Sequence, residues 1–511
     1  MQNDTQSNFL RYTAYSLLPT ALVFVLFLTL AISAVAQSGA TFYVSTTGSD
    51  TNNGSFGSPW RTIRHAADSI AAGATVDIRG GTYNESVNIP VSGNSSAGYI
   101  VFQSYPGESA IVDGTALACC DGNVKGLFNI VNQSYVIISG LEIRNYSTSS
   151  SSSTPAGIWI TGGGSNIELL KNKVHNIVSK SEKNGNAFGI SVYGTSATPI
   201  SALTISGNQV YGNKTGNSET VNVDGNVQNF TISNNTVHDN DNIGIDAIGF
   251  ERVGPLGHDQ ATNGEISGNV VYNITSYGNP AYGNQYAADG IYCDGCSYVT
   301  IERNLVYNSD LNIEVASEHK GHTSSYVTVR NNLVYHGNSN GISIGGYSSG
   351  VGGTDHCTIV GNSLFENDTK NTGSGEFQVQ FYATNNVFKN NIVYAASQGL
   401  LVNDFTSSES NPVDIDYNVY YSSAGSSSQW IWEKKTYTGF SSYQSGTGKD
   451  THSYFADPKY LSLTQPDLQV EPTSPAVNNG INLGPGVVGT VDYAGNPRVH
   501  GNTIDIGAYE Q

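Results

Sequence analysis

Apolar and polar residues alternate along this chain in short bursts instead of recurring every three or four positions. One phrase keeps returning, of the form apolar-x-apolar-x-x-Asn-x-apolar-aromatic or His. It reads IELLKNKVHN, LTISGNQVYG, FTISNNTVHD, GEISGNVVYN, VTIERNLVYN, VTVRNNLVYH, CTIVGNSLFE and NVFKNNIVYA. Its asparagines are Asn172, Asn208, Asn235, Asn269, Asn304, Asn332, Asn362 and Asn391, 27 to 36 residues apart, with a ninth turn at Asn418 in VDIDYNVYY. A second alternating segment accompanies each phrase: GIWITG, GISVYG, VNVDGN, GIDAIG, GIYCDG, NIEVAS, GISIGG and GLLVND. Period-two alternation over five or six residues makes a strand with one buried face. Two or three such strands per repeat, with no helical stretch between them, predict an all-β, single-stranded parallel β-helix. Asparagine suits the tight turn because it tolerates left-handed backbone, and stacked Asn side chains hydrogen-bond from coil to coil. A propeller, with repeats nearer ~40 residues and four strands each, fits less well.

Both ends depart from the repeat. In WRTIRHAADSIAAG, Ile63, Ala66, Ala67 and Ile70 have helical spacing, which predicts a short helix capping the first coil. After about Asp416 the repeat fades into Ser, Gly, Trp430, Trp432 and a tail ending NTIDIGAYEQ, an irregular C-terminal cap. Arg11 precedes an apolar run from Leu17 to Ile32, and Ala34-Val35-Ala36 offers a cleavage site before Gln37. The expected organisation is a signal peptide over 1–36, a cap with the first strands over 37–97, coils over 98–418 and a capping segment over 419–511. Export to a secreted or extracytoplasmic location follows, with no membrane contact after cleavage.

FYVSTTGSDTNNGSFGSPWRTIRHAADSIAAGATVDIRGGTYNESV resembles the N-terminal segment of family 9 polysaccharide lyases and of many other β-helix proteins. DYAGNPRVHGNTIDIGAYEQ is similar to the tail of numerous secreted β-helix proteins. The resemblance implies a right-handed solenoid of the pectate-lyase-like superfamily. These segments are structural and leave the reaction open.

Composition narrows the partners. The 58 Gly and 31 Tyr against 22 Lys plus Arg suit turns and strands, and the net charge of −19 argues against nucleic acid. A strongly anionic substrate would need a mediating cation. Cys119, Cys120, Cys293, Cys296 and Cys357 form no zinc pattern and read as buried thiols or one local disulfide. A monomer acting on a polysaccharide is expected.

With Ile245, Ile291, Ile313 and Ile342 pointing inward, the residue after each points outward. The first outward column then reads Trp159, Ser191, Asn222, Asp246, Tyr292, Glu314, Ser343 and Leu401. The second reads Thr161, Tyr193, Asp224, Ile248, Asp294, Ala316, Gly345 and Asn403. Coils stack at ~4.8 Å, so the acids among these residues are neighbours, and strand stability does not call for them. Such a cluster binds a cation or does acid–base work, against the plainer reading of scattered surface carboxylates. Long coils add the loops GFERVGPLGHDQATN and TSYGNPAYGNQYAAD, which bring Arg252, His258, Tyr282 and Tyr286 to the rim as substrate contacts. Asn222, Trp159, His319 and Lys320 join them.

Three functions fit. In a glycoside hydrolase, Asp246, Asp294 and Glu314, with Glu318 from the adjoining turn, supply the acid and its partner carboxylate. In a Ca²⁺-assisted lyase on a uronate polymer, Asp224, Asp246 and the DNDN turn containing Asp241 hold the ion. DNDNIGIDAIG resembles the acidic metal-binding coil of the family 9 lyases, which implies Ca²⁺. Those enzymes carry a catalytic lysine on the outward face of a following coil, where this chain has Tyr292, Glu314 and Ser343. Tyr292 or Lys320 would have to replace it. The third is a non-catalytic glycan-binding β-helix. Carboxylates dominate the face and lysine is missing, so hydrolysis is favoured, with Glu314 as the principal residue.

Overall fold

The computed structural model describes residues 39–407, 409, 411–463, 467–500 and 503–511. The expected signal segment lies outside them. Apart from a small hairpin of Tyr460–Ser462 and Asp467–Val470, the strands of these residues fall into three long sheets, and the chain visits the sheets in turn, so that strands about one coil apart pair in parallel. One sheet runs from Thr41–Val44 to Val413–Asp416, and another from Gly81–Tyr83 to Tyr454–Phe455. The third runs from Val87–Ile89 through Gln429–Trp432 to a last, antiparallel strand Lys435–Thr438, and it carries the acids.

Register is kept because like residues stack. Ile158, Ile190, Val221, Ile245, Ile291, Ile313, Ile342, Phe377 and Val402 are partners in succession, and all are buried. A one-residue slip would turn each of these to the outside. The asparagines supply the polar half of the register. From Asn208 to Asn418 each side-chain oxygen accepts both the backbone N–H and the Nδ2 of the preceding asparagine, starting with Asn172, at 2.9 to 3.3 Å. The ladder ends where Asn418 donates to Ser453 Oγ at 2.8 Å and Asp450 Oδ1 at 3.2 Å. A second ladder of rings, His175, Tyr211, His238, Tyr272, Tyr307 and Tyr335, stacks at 4.7 to 5.0 Å.

The ends are closed as their patterns suggested. Helix Ile63–Ser69 starts at Thr62, whose hydroxyl accepts the His65 N–H, and it buries Ile63, Ala66 and Ala67. At the other end, helix Phe440–Thr447 sets Tyr443 against Trp430 at 5.5 Å. The tail then lies along one sheet, packing Leu468, Val470 and Ile506 against Phe365, Ile392 and Val419. Arg498 is fully buried there and donates to the carbonyls of Asp505 and Gly507 and to Glu510. Among the described residues, no helix is long and apolar enough to cross a membrane.

Two expectations need correction. The segment GEFQVQF makes a coil of its own, with strand Phe377–Val379 following Asn340–Ile344. It lacks the Gly-Ile opening of its neighbours, so counting from that signal skips it. The first column therefore continues from Ser343 to Gln378 and Asn403, and Leu401 is a fully buried core residue. Two cysteine pairs are bridged rather than one at most, Cys119–Cys120 and Cys293–Cys296, while Cys357 is a buried thiol.

Candidate functional site

Asn222, Asp246, Tyr292, Glu314 and Ser343 are register partners on five successive rungs, and Asp294 is the partner of Ala316. The predicted column is thus intact up to Ser343. Its acids point away from the core but are covered by loops: Asp246 is 2%, Asp294 4% and Glu314 6% exposed. Two further carboxyls join them, Glu219 and Asp289, each three residues before the column position of its coil. Alternation counted from the isoleucines misses them, because three is the wrong parity for that face. The available signal was a carboxylate repeated at one offset in VNVDG and GIYCD coils.

Glu314 is the most firmly held of the acids. Its Oε1 accepts Ser343 Oγ and Gln380 Nε2, both at 3.0 Å, and its carboxyl is hydrogen-bonded to that of Asp289. Asp294 Oδ1 accepts the Glu318 N–H at 2.7 Å, and Glu219 accepts Asn222 Nδ2 at 2.9 Å. Burial raises every member of the group, and neighbouring carboxylates add to it. Glu314 and Glu219 are pushed up to about 7 and Asp224 to about 8, while Asp246, Asp289 and Asp294 stand well above the ordinary range. The strongest charges acting on Asp246, Asp289 and Asp294 are all those of other carboxylates. One buried oxygen each of Asn222, Asp224, Asp246 and Asp289 has no hydrogen-bond partner among the described residues. A site with protonated acids, one fixed carboxylate and unmet acceptors suits proton transfer to a hydroxylated ligand.

The rim comes from the long coils. Glu251, in the loop after strand Ile245–Ile248, meets His319 Nε2 at 3.0 Å, and Phe250 stacks on His322 at 4.0 Å. This ties the loop across two coils to the turn holding Glu318. Carboxylate oxygens of Glu251, Asp294 and Glu318 lie within 4.8 Å of one another, an all-oxygen set of the kind Ca²⁺ takes. The expected calcium ligands Asp224, Asp246 and Asp241 are not that group. Asp241 instead accepts the Thr215 N–H at 2.6 Å, bracing its turn.

The remaining predicted residues separate into near and far. Tyr282 receives a 3.4 Å contact from Asn242 and feels Glu318, Glu219 and Asp289, so it belongs to the site. Asp310, outside the predicted set, holds the Tyr282 loop at both ends, accepting the N–H groups of Ser276, Ala287 and Ala288 at 2.8 to 3.2 Å. Tyr286 stacks instead on Tyr277 at 4.9 Å. Trp159 packs beside Tyr193 at 4.8 Å, and Tyr193 feels Glu219 and Asp224. Arg252 and His258 are exposed on a loop pinned by Asp259, which accepts the Arg252 and Gly254 N–H groups at 2.6 Å. Lys320 is also exposed. Tyr292 is packed with Ile243 and Ala316, and burial pushes its hydroxyl well up, which makes it a poor base. Tyr347 had no sequence signal; it is 56% exposed and its hydroxyl is raised by burial and by Glu318, Asp294 and Glu314.

A parallel β-helix with a carboxylate row on one sheet places the molecule among right-handed β-helix proteins, and residues 42–192 match the family model described as Pel9A-like, right handed beta helix region. The uncharacterized protein YwoF of Bacillus subtilis (strain 168) is 39% identical over 444 residues, which cover 86% of this chain and 92% of YwoF. The chain belongs to the same family as YwoF. Pectate lyase PEL9 of Emericella nidulans is 37% identical over 120 residues, 22% of this chain and 29% of PEL9. Among solved structures, XylC in complex with xylose has a TM-score of 0.50 at 13% identity, covering 92% of this chain and 98% of XylC. The GH136 lacto-N-biosidase of Eubacterium ramulus has a TM-score of 0.50 at 13% identity, covering 75% and 64%. At such identities the likeness is one of fold.

Proposed function

We propose that the protein is an exported glycoside hydrolase that cleaves a polysaccharide with two carboxyl groups of this row. The observation that carries this is the placing of Glu314, fixed by Ser343, Gln380 and Asp289, one rung from the buried acid Asp294. Asp294, kept protonated by burial and by Glu318, donates its proton to the departing glycosidic oxygen. Glu314, whose hydrogen bonds favour its ionised form, attacks the anomeric carbon or takes a proton from water. Neighbouring rungs at ~4.8 Å and a two-residue offset of ~6.6 Å set the Cα atoms about 8 Å apart, a span that side chains close to glycosidase range. Export rests on the leader at residues 1–36.

A calcium-assisted lyase is the second reading, favoured by the Glu251, Asp294 and Glu318 group and by the likeness to PEL9. These three carboxylates would hold the ion, which when bound would neutralise a uronate carboxylate. The chain's own difficulty is the base, since Tyr292 is buried and Lys320 stands out in solvent.

The test is to incubate the secreted protein with a glycan panel, with and without chelator. Hydrolysis predicts new reducing ends, no ultraviolet-absorbing unsaturated product and no effect of chelator. Unsaturated product that disappears with chelator would replace hydrolysis by elimination.

A further inference from the structure

Beyond Glu314 the acid row gives way to neutral groups. The next rungs carry Asn340, Ser343, Gln378, Gln380 and Asn403, and Ser343, Gln378 and Asn403 are successive register partners. They form one connected patch. Gln380 Nε2 donates to Glu314 at 3.0 Å and to Gln378 Oε1 at 3.1 Å, and Asn340 Nδ2 donates to that same Gln378 oxygen at 3.3 Å. Asn403, one rung from Gln378, donates to the Gly373 carbonyl at 2.8 Å. All five residues are at most 9% exposed. Nevertheless Asn340 Oδ1, Gln380 Oε1 and Asn403 Oδ1 have no hydrogen-bond partner among the described residues. The ladder asparagines of the same coils are equally buried, and their oxygens are all bonded. Buried amides left unmet beside a fully bonded set of the same residue type mark a surface built for something else.

We propose that this amide patch is a subsite for an uncharged sugar residue adjoining Glu314, bonded through its hydroxyls. The inference rests on the hydrolase reading and names its substrate class, a neutral glycan and not a polyuronate. A sugar hydroxyl both donates and accepts, which matches amide oxygens with free acceptor capacity beside amide N–H groups. None of the five side chains carries a positive charge to meet a uronate carboxylate.

The experiment measures binding to the full-length Glu314→Gln protein, in which turnover is blocked, by calorimetry. The probes are xylotetraose, cellotetraose, mannotetraose and galactotetraose against tetragalacturonate. At least one neutral probe should bind and tetragalacturonate should not. Gln378→Met and Asn403→Leu, which keep volume and remove the polar atoms, should each weaken that binding about tenfold. Thermal unfolding confirms the fold of each variant, and if one fails the other carries the test. Preference for tetragalacturonate, binding of no probe, or neutral binding indifferent to both substitutions overturns the subsite. Weakened neutral binding with no bond cleavage by the unsubstituted protein upholds the subsite and removes the hydrolase. Cleavage of a neutral glycan with KM unchanged in both variants does the reverse.

Discussion

Glu314→Gln separates the chemistry of the site from its cost to the fold. The carboxyl is buried, and burial with the nearby Glu318 raises it from 4.5 to about 7, so its ionised form costs the folded protein about 3 kcal/mol. Below pH 4.5 the group is protonated whether the chain is folded or not, and it costs nothing. Between 4.5 and about 7 the unfolded chain releases the proton while the folded one keeps it, so stability falls as pH rises. Above about 7 the loss is complete. Glutamine keeps an oxygen for Ser343 Oγ and Gln380 Nε2 and has no charge to bury. The variant should therefore unfold with the parent near pH 4.5 and be more stable by up to about 3 kcal/mol at pH 8. Glycan cleavage, followed by reducing ends, should fall on the order of a thousandfold or more. Turnover that survives the substitution refutes the role of Glu314. A stability difference equal at both pH values refutes the argument from its buried charge.

Asp294→Asn should lower cleavage of a natural glycan 10²- to 10⁴-fold, with a smaller loss on an aryl glycoside whose leaving group needs no proton; equal losses on both substrates would exclude Asp294 as the acid. Asn269→Ala strands the Asn235 N–H and Nδ2 groups and the Ile232 carbonyl, at about 1–3 kcal/mol for each unmet buried group. Thermal unfolding should report a total above about 3 kcal/mol, and a loss under about 1 kcal/mol would deny the ladder its role. Asp310→Ala should free the loop between Ser276 and Ala288, seen as new protease cleavage inside it together with reduced kcat/KM. Unchanged resistance to protease would show that the loop is held by other contacts.

The solenoid was legible because its physics is periodic. Asparagine at one turn and isoleucine at one inward position recur coil after coil, and both kinds of stacking reward repetition. The carboxylate column was legible for the same reason, since Asn222, Asp246 and Glu314 sit one residue after an inward Val or Ile. Glu219 and Asp289 were not, because Glu219 lies in an irregular stretch before its strand and Asp289 opens its strand at the parity of the inward Ile291. The Gln378 coil escaped because Glu376 and Phe377 replace the usual opening. Tyr347 and the Glu251–His319 contact depend on how loops fold over neighbouring coils, which no local pattern encodes.

The asparagine ladder has a direction. Each Asn hands its N–H and its Nδ2 to the asparagine of the next coil, never to the one before, so a coil is complete only when its successor arrives. A chain emerging from its N-terminus thus presents, at every stage, a growing end with two donors waiting for one particular oxygen. Such an end can take the next turn whatever the length of the loop between, which leaves loop length free to vary. It is also a template that any similar strand can extend. Ser453 and Asp450 terminate it by accepting the last two bonds without offering a further Asn step. A chain cut before Asp450 keeps its coils and loses its stop signal, and it should grow by recruiting other copies end to end.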